Sequence, residues 1–113
     1  MAAGLSAKDC CEAFANYVPG VTNLNDLCCD TCEITMNNGE PVELGDFKEQ
    51  AGPTVMQEVE KYGESKDGSM AWCSFWCENC ISQQLFATTA VLERQSNGGY
   101  KMLHVHRGAG VTV

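Results

Sequence analysis

The stretch from Gln83 to Gly108, QQLFATTAVLERQSNGGYKMLHVHRG, constrains the fold of this chain more than any other. Two apolar runs, Leu85–Glu93 and Tyr100–Arg107, are joined by Gln95-Ser96-Asn97-Gly98-Gly99. Asn and Gly tolerate the positive φ that tight strand connections require, so the segment predicts a β-hairpin. A period of two places Tyr100, Met102, His104 and His106 on one face of the second strand, with Lys101, Leu103, Val105 and Arg107 on the other. Two histidines beside an aromatic ring and a thioether predict the wall of a pocket.

The 113 residues suffice for a single domain, 1–113, with one hydrophobic core. The net charge of −8 is unevenly spread. Thirteen of the fifteen acids precede Gly68 and face only four lysines, while the remainder is close to neutral. Such an acidic chain repels phosphate backbones, which argues against nucleic acid and anionic membrane surfaces as partners. No run reaches the ~18 apolar residues of a membrane span. The start lacks the basic and long apolar regions of a signal peptide, giving an expectation of a cytoplasmic protein. That becomes secreted if the cysteines are disulfide-bonded.

Eight cysteines, at 10, 11, 28, 29, 32, 73, 77 and 80, leave three readings open. They can form four disulfides of a small secreted scaffold. Cys29-x-x-Cys32 and Cys77-x-x-Cys80 have zinc-ribbon spacing. Otherwise they are buried thiols packing as small hydrophobes. A reactive thiol needs basic neighbours, and Cys28 and Cys29 are ringed by Asp26, Asp30 and Glu33, so no cysteine nucleophile is expected.

Ser6 is a suitable N-cap for a helix running to Tyr17 or Val18, with Cys10, Phe14, Tyr17 and Val18 on one stripe. A short helix follows Thr22 or Asn23, with Leu24, Leu27 and Cys28 inward. Glu33–Met36 reads as a strand, Asn37–Gly39 as its turn and Pro41–Leu44 as the returning strand. Another helix starts at Gly45-Asp46 and stops at Gly52-Pro53. The pattern then predicts a short helix to about Met56 and a strand after it. Met70–Cys77, with Trp72 and Trp76, is apolar on both faces and predicts a strand covered on both sides. Helices first and antiparallel strands second make an α+β layout.

This order of parts, with "GEPVELGDF" in the first half and "NGGYKMLHVHRG" at the end, resembles the nuclear transport factor 2-like superfamily. Within it the chain is most similar to the SnoaL-like branch and to the association domain of calcium/calmodulin-dependent protein kinase II. Tyr100-Lys101-Met102-Leu103-His104-Val105-His106 matches their terminal strand, with Tyr in the usual Trp place. The resemblance implies a curved antiparallel sheet wrapped around N-terminal helices, a cone-shaped, cystatin-like α+β barrel, usually dimeric through the sheet. It also implies an apolar pocket, and in some members isomerase or cyclase chemistry by a carboxylate on the first strand. The matching stretch here, Ile34–Asn37, holds no acid, and the one-residue offset of Glu33 turns it to the opposite face.

The expected function is therefore binding of a small hydrophobic ligand by a homodimer that needs no cofactor and no metal. The candidate wall is Phe14, Tyr17, Trp72, Trp76, Tyr100, Met102, His104 and His106. His104 and His106, roughly 6.5–7 Å apart along their strand, are the candidates for acid–base assistance. Two other classes stand beside this reading: a disulfide-rich secreted interaction domain, and a non-catalytic oligomerisation module of the same fold.

Overall fold

The hairpin organises the sheet as its sequence predicts, and the rest of the chain is added at its two edges. A computed structural model describes residues 4–35, 41–108 and 111–112. In chain order the elements are α1 (Ala7–Ala15), α2 (Leu24–Leu27), β1 (Cys28–Thr35), β2 (Pro41–Glu43) and α3 (Leu44–Gln50). They are followed by β3 (Thr54–Glu64), β4 (Met70–Asn79), β5 (Gln84–Arg94), β6 (Tyr100–Arg107) and β7 (Val111–Thr112). The strand order is β2-β1-β6-β5-β4-β3, with β7 paired to the start of β5. The pairs are antiparallel except β1 with β6, so this curved sheet is mixed rather than purely antiparallel as expected. The α+β class stands.

The helices are placed by caps. Ser6 Oγ accepts from the Asp9 N–H at 3.1 Å, and Asn23 Oδ1 accepts from the Asn25 N–H at 3.0 Å. The first helix ends at Ala15, earlier than its apolar stripe suggests, because Asn16 leaves the helical conformation at φ −97°, ψ 44° and its side-chain Nδ2–H donates to the Glu12 carbonyl at 2.9 Å. Thr54 then fastens β3 beneath this helix end. Its N–H donates to Tyr17 O and its hydroxyl to Ala15 O, at 2.9 and 2.8 Å.

Two expectations fail here. The segment from Thr54 is strand from its first residue, with no helical turn before it. Its register against β4 runs from Thr54 opposite Asn79 to Glu64 opposite Ala71, and a long ladder outweighs the helix-compatible spacing of a few apolar residues. Two register shifts, at Met56/Glu58 and Val59/Lys61, add the local twist that bulges impose. Strand β4 is also not covered on both sides. Ala71, Cys73, Phe75 and Cys77 are buried, whereas Trp72 on the opposite face is 43% exposed. Met36 and the turn expected at Asn37–Gly39 lie outside the described residues.

The hairpin turn closes with Gln95 N–H on Gly99 O at 2.7 Å, and Gly98 takes φ +86°. The other sharp turn, Ser65–Ser69, is organised by a single carboxylate. Asp67 Oδ1 accepts from Ser69 N, Ser69 Oγ and Ser65 Oγ at 3.0, 2.7 and 2.8 Å. The Ser69 backbone N–H, then the two hydroxyls, hold this carboxyl down to about 2 from 3.8. A folded pKa below the unfolded one contributes stability that is complete above the unfolded value and lost as pH falls through the folded value. Asp67→Ala is thus expected to melt below the parent at pH 5, and the gap should close between about pH 4 and pH 2. Melting curves of both proteins over that range check it, and a gap independent of pH would contradict it.

Candidate functional site

The terminal strand does not keep its period of two. In the β5–β6 ladder Val91 lies opposite His104 and Leu92 opposite Met102, which leaves Leu103 as an extra, unpaired residue. A one-residue bulge reverses which face every later side chain takes. Met102, Val105 and Arg107 are accordingly buried, while His104 is half-buried and His106 exposed on the other face.

The predicted wall is therefore divided. Trp72, Val91, His104 and Glu33 are successive register neighbours on the outer face, and Ser74, Thr89, His106 and Thr35 form the next row. Trp76 alternates onto the same outer face. Phe14, Tyr17 and Met102 are buried in the core, and Tyr100 packs partly buried against it, its hydroxyl donating to Gly68 O at 2.6 Å. The eight residues do not surround one space. The two histidines keep their common face, but it is the one turned away from the helices. Glu33 also faces outward, as its offset predicts, and the buried positions of β1 are Cys28, Cys32 and Ile34.

The residue that the bulge brings inside is Arg107. Its guanidinium carbon stands 5.4 Å from the Phe47 ring centre and 5.0 Å from that of Phe86, a cation between two aromatic faces. Phe47 comes from α3 and is itself backed by Phe14, stacked at 5.9 Å, and by Tyr17, tilted at 6.4 Å. Phe14 of α1 and Tyr17, just past its end, thus support the site from behind. Nη2 of Arg107 donates to Cys77 Sγ at 3.8 Å, and that sulfur lies 3.9 Å from Thr88 Oγ1. Nε is buried with no hydrogen-bond partner. Among the described residues no carboxylate pairs with this cation, and burial pushes its pKa below the ordinary arginine value.

A buried charge without a counter-ion is expensive, and buried polar groups in folded proteins are overwhelmingly partnered. The exception borders a cavity of about 160 Å³, lined by Val42, Phe47, Ala51, Gly52, Asn79 and Phe86 together with Arg107. Asn79 Oδ1 accepts from the Ile81 and Ser82 N–H groups at 2.9 Å each, which fixes the bend after β4 and holds the side chain at the cavity wall. The described lining is five apolar residues with Asn79 and the cationic Arg107, and among the described residues it holds no acid. A larger open groove of about 570 Å³ lies over β1, β2 and the start of α3. Its described walls contain no unpartnered buried cation, and Arg107 marks the smaller cavity as the candidate site.

The cysteines divide differently from the four-disulfide and zinc readings. One disulfide, Cys11–Cys73, ties α1 to β4, and the other six are thiols. Cys77 sits beside Arg107 whereas Cys80 is exposed past the strand end, and among the described residues no group of three or more ligating side chains could hold a metal. No described helix is long and apolar enough to cross a membrane.

No protein-family model and no curated protein matches the sequence. Solved structures do match in shape. A nuclear transport factor 2-like protein of unknown function from Prochlorococcus sp. NATL2A superposes with a TM-score of 0.71 at 14% identity, over 96% of this chain and 97% of that one. A cystatin-like fold protein from Burkholderia xenovorans gives 0.59 at 13% identity over 95% of each chain. A candidate ketosteroid isomerase from Shewanella frigidimarina gives 0.56 at 15% identity over 75% of this chain and 78% of that one. At such identities the likeness is one of architecture, and it agrees with the terminal-strand resemblance and with the α+β sheet described above: the chain has the nuclear transport factor 2-like, cystatin-like fold.

Proposed function

We propose that this protein binds a small apolar anion, a carboxylate on a ring or branched alkyl body, in the cavity closed by Phe47, Phe86 and Arg107. The observation that carries the reading is a buried guanidinium, its Nε unpartnered and no carboxylate beside it among the described residues, on a residue that lines a largely apolar cavity. A cavity of about 150 Å³ holds a benzene ring, so the 160 Å³ here suits a body of that size. The carboxylate supplies the counter-charge that no described residue provides, through the planar donor fork that makes Arg suited to such groups. The candidate ketosteroid isomerase among the similar structures is consistent with a ligand-binding use of the fold.

Binding rather than catalysis is the favoured reading, because none of the described residues lining the cavity is an acid or a histidine able to move a proton. His104 and His106 share the outer face with the exposed Trp72, an arrangement that suits pairing of two copies through the sheet in a homodimer. Six free thiols argue against a four-disulfide scaffold, while the Cys11–Cys73 bond fits an oxidising compartment better than a reducing cytoplasm.

Calorimetric titration with benzoate and its neutral isostere benzamide tests the site. A charge-assisted contact to a carboxylate is worth about 2 kcal/mol more than none, so benzoate should bind roughly 30-fold tighter. Equal affinity for the two, or no binding of either, would refute an anion site.

A further inference from the structure

We propose that Asn79 is the second ligand-binding residue of the Arg107 cavity and selects oxo acids, its Nδ2–H donating to a carbonyl oxygen on the apolar body, which rests on Arg107 holding the carboxylate. Asn79 is the last residue of β4 and lies two positions beyond Cys77, so the two share the inward face of the strand. Its backbone is fixed on both sides. It stands opposite Thr54 in the β3–β4 ladder, and its carbonyl accepts from the Gln83 N–H at 2.8 Å. The next N–H along, that of Cys80, donates to Pro53 O at 2.9 Å. The side chain is held as well, because Oδ1 receives both the Ile81 and the Ser82 N–H groups. Two converging donors are met only by the amide oxygen, which assigns the other position to the nitrogen.

Nδ2 is the half of the amide that the bend does not use, and it donates to no described residue. It faces Gly52, where a Cβ would stand 3.0 Å from it, and both residues line the cavity of about 160 Å³. The missing side chain at Gly52 keeps the space beside the amide open. The cation stands at the level of Cys77, to whose sulfur Nη2 donates at 3.8 Å. Same-face residues of a strand are roughly 6.5–7 Å apart, so the amide donor lies about one strand repeat beyond the cation. Val42, Phe47, Ala51 and Phe86 form the apolar walls around them.

The polar side chains of the described lining therefore offer donors at two levels, and their one acceptor, Asn79 Oδ1, is already occupied. Such a site is complementary to a ligand with two acceptors and no donor. The carboxylate at Arg107 is the first acceptor. A carbonyl oxygen further along the body is the second, because it accepts without bringing a proton that needs a partner of its own. A purely alkyl body at that point covers Nδ2 and leaves it without a partner, and polar groups stranded in this way are what let a site reject the analogue that lacks the matching oxygen.

The test is calorimetric titration of the parent protein with 4-oxopentanoate and 4-methylpentanoate, two acids of nearly the same shape in which a carbonyl oxygen replaces a methyl group. Burial of apolar surface alone ranks the oxo acid as the weaker ligand. With Nδ2 as a donor it should instead bind roughly fivefold tighter or more. The Asn79 side-chain NH₂ resonances, assigned by their disappearance in Asn79→Ser, should shift several-fold further with the oxo acid than with the alkyl acid. Asn79→Ser keeps an oxygen for the Ile81 and Ser82 N–H groups but lacks the donor, and should lose or reverse the preference. Gly52→Ala leaves the bend intact, crowds Nδ2 and should reduce the preference. A role confined to the bend would instead change both affinities alike and leave their ratio as it was. Equal or weaker binding of the oxo acid by the parent protein would overturn the proposal and leave the carboxylate site standing, whereas no binding of either acid would overturn both. The parent titration decides the matter even if neither variant folds.

Discussion

Arg107→Met is expected to raise stability and sharply weaken carboxylate binding in the same molecule. The cation is 5% exposed, has an orphaned Nε and meets no carboxylate among the described residues. Its desolvation is offset only by two aromatic faces, each worth about 1–2 kcal/mol, and by a weak bond to a sulfur. Replacing buried ionic groups by hydrophobic residues of similar volume is neutral or stabilising by about 1–4 kcal/mol. Met keeps the unbranched stem and packs well against rings. A gain of about 1–3 kcal/mol, or roughly 5–10 °C in melting temperature, should follow. Benzoate affinity should fall by about two orders of magnitude, as when one partner of a buried charge pair is truncated. A cation kept only to support Phe47 and Phe86 gives the opposite signs: a less stable variant with unchanged binding. Stability surrendered for a functional group is the usual pattern at binding sites.

Loss of the Cys11–Cys73 bond is expected to destabilise the chain by about 4 kcal/mol, since it closes a loop spanning a sequence separation of 62. For a domain of this length that is roughly 15 °C in melting temperature. The effect reaches the site. Helix α1 has nine residues, too few to persist without tertiary contacts. It carries Phe14, on which Phe47 stacks, so slackening α1 loosens one wall of the cavity. Melting curves of Cys11→Ala/Cys73→Ala beside the parent, each with and without benzoate, check both halves. A shift under about 3 °C would show that packing of Cys10, Phe14 and Ala15 alone seats the helix.

The parts of this fold that are legible in the sequence are those set by local chemistry. The Ser6 and Asn23 caps, the Asn97-Gly98-Gly99 turn and the Gly52-Pro53 stop each act within a few residues, and each appears where expected. The face of β6 depends instead on its neighbours. Alternation from Tyr100 places Arg107 outside and His104 and His106 inside, and the bulge at Leu103 reverses all three. A trace of it is visible, because Met102 and Val105 are apolar three positions apart and Leu103 breaks the alternation between them. Strand β3 is likewise decided by its ladder to β4 and not by its own spacing. Disulfide pairing among eight cysteines is a property of the folded arrangement, so Cys11–Cys73 has no local signature.

The most direct measurement is the ¹⁵N–¹H resonance of the Arg107 side-chain Nε–H, assigned by its disappearance in Arg107→Met and followed while benzoate is added. The account predicts a saturable shift of that resonance with benzoate, none with benzamide, and accompanying ring-proton shifts at Phe47 and Phe86. An Arg107 signal unmoved by benzoate at millimolar concentration would contradict it.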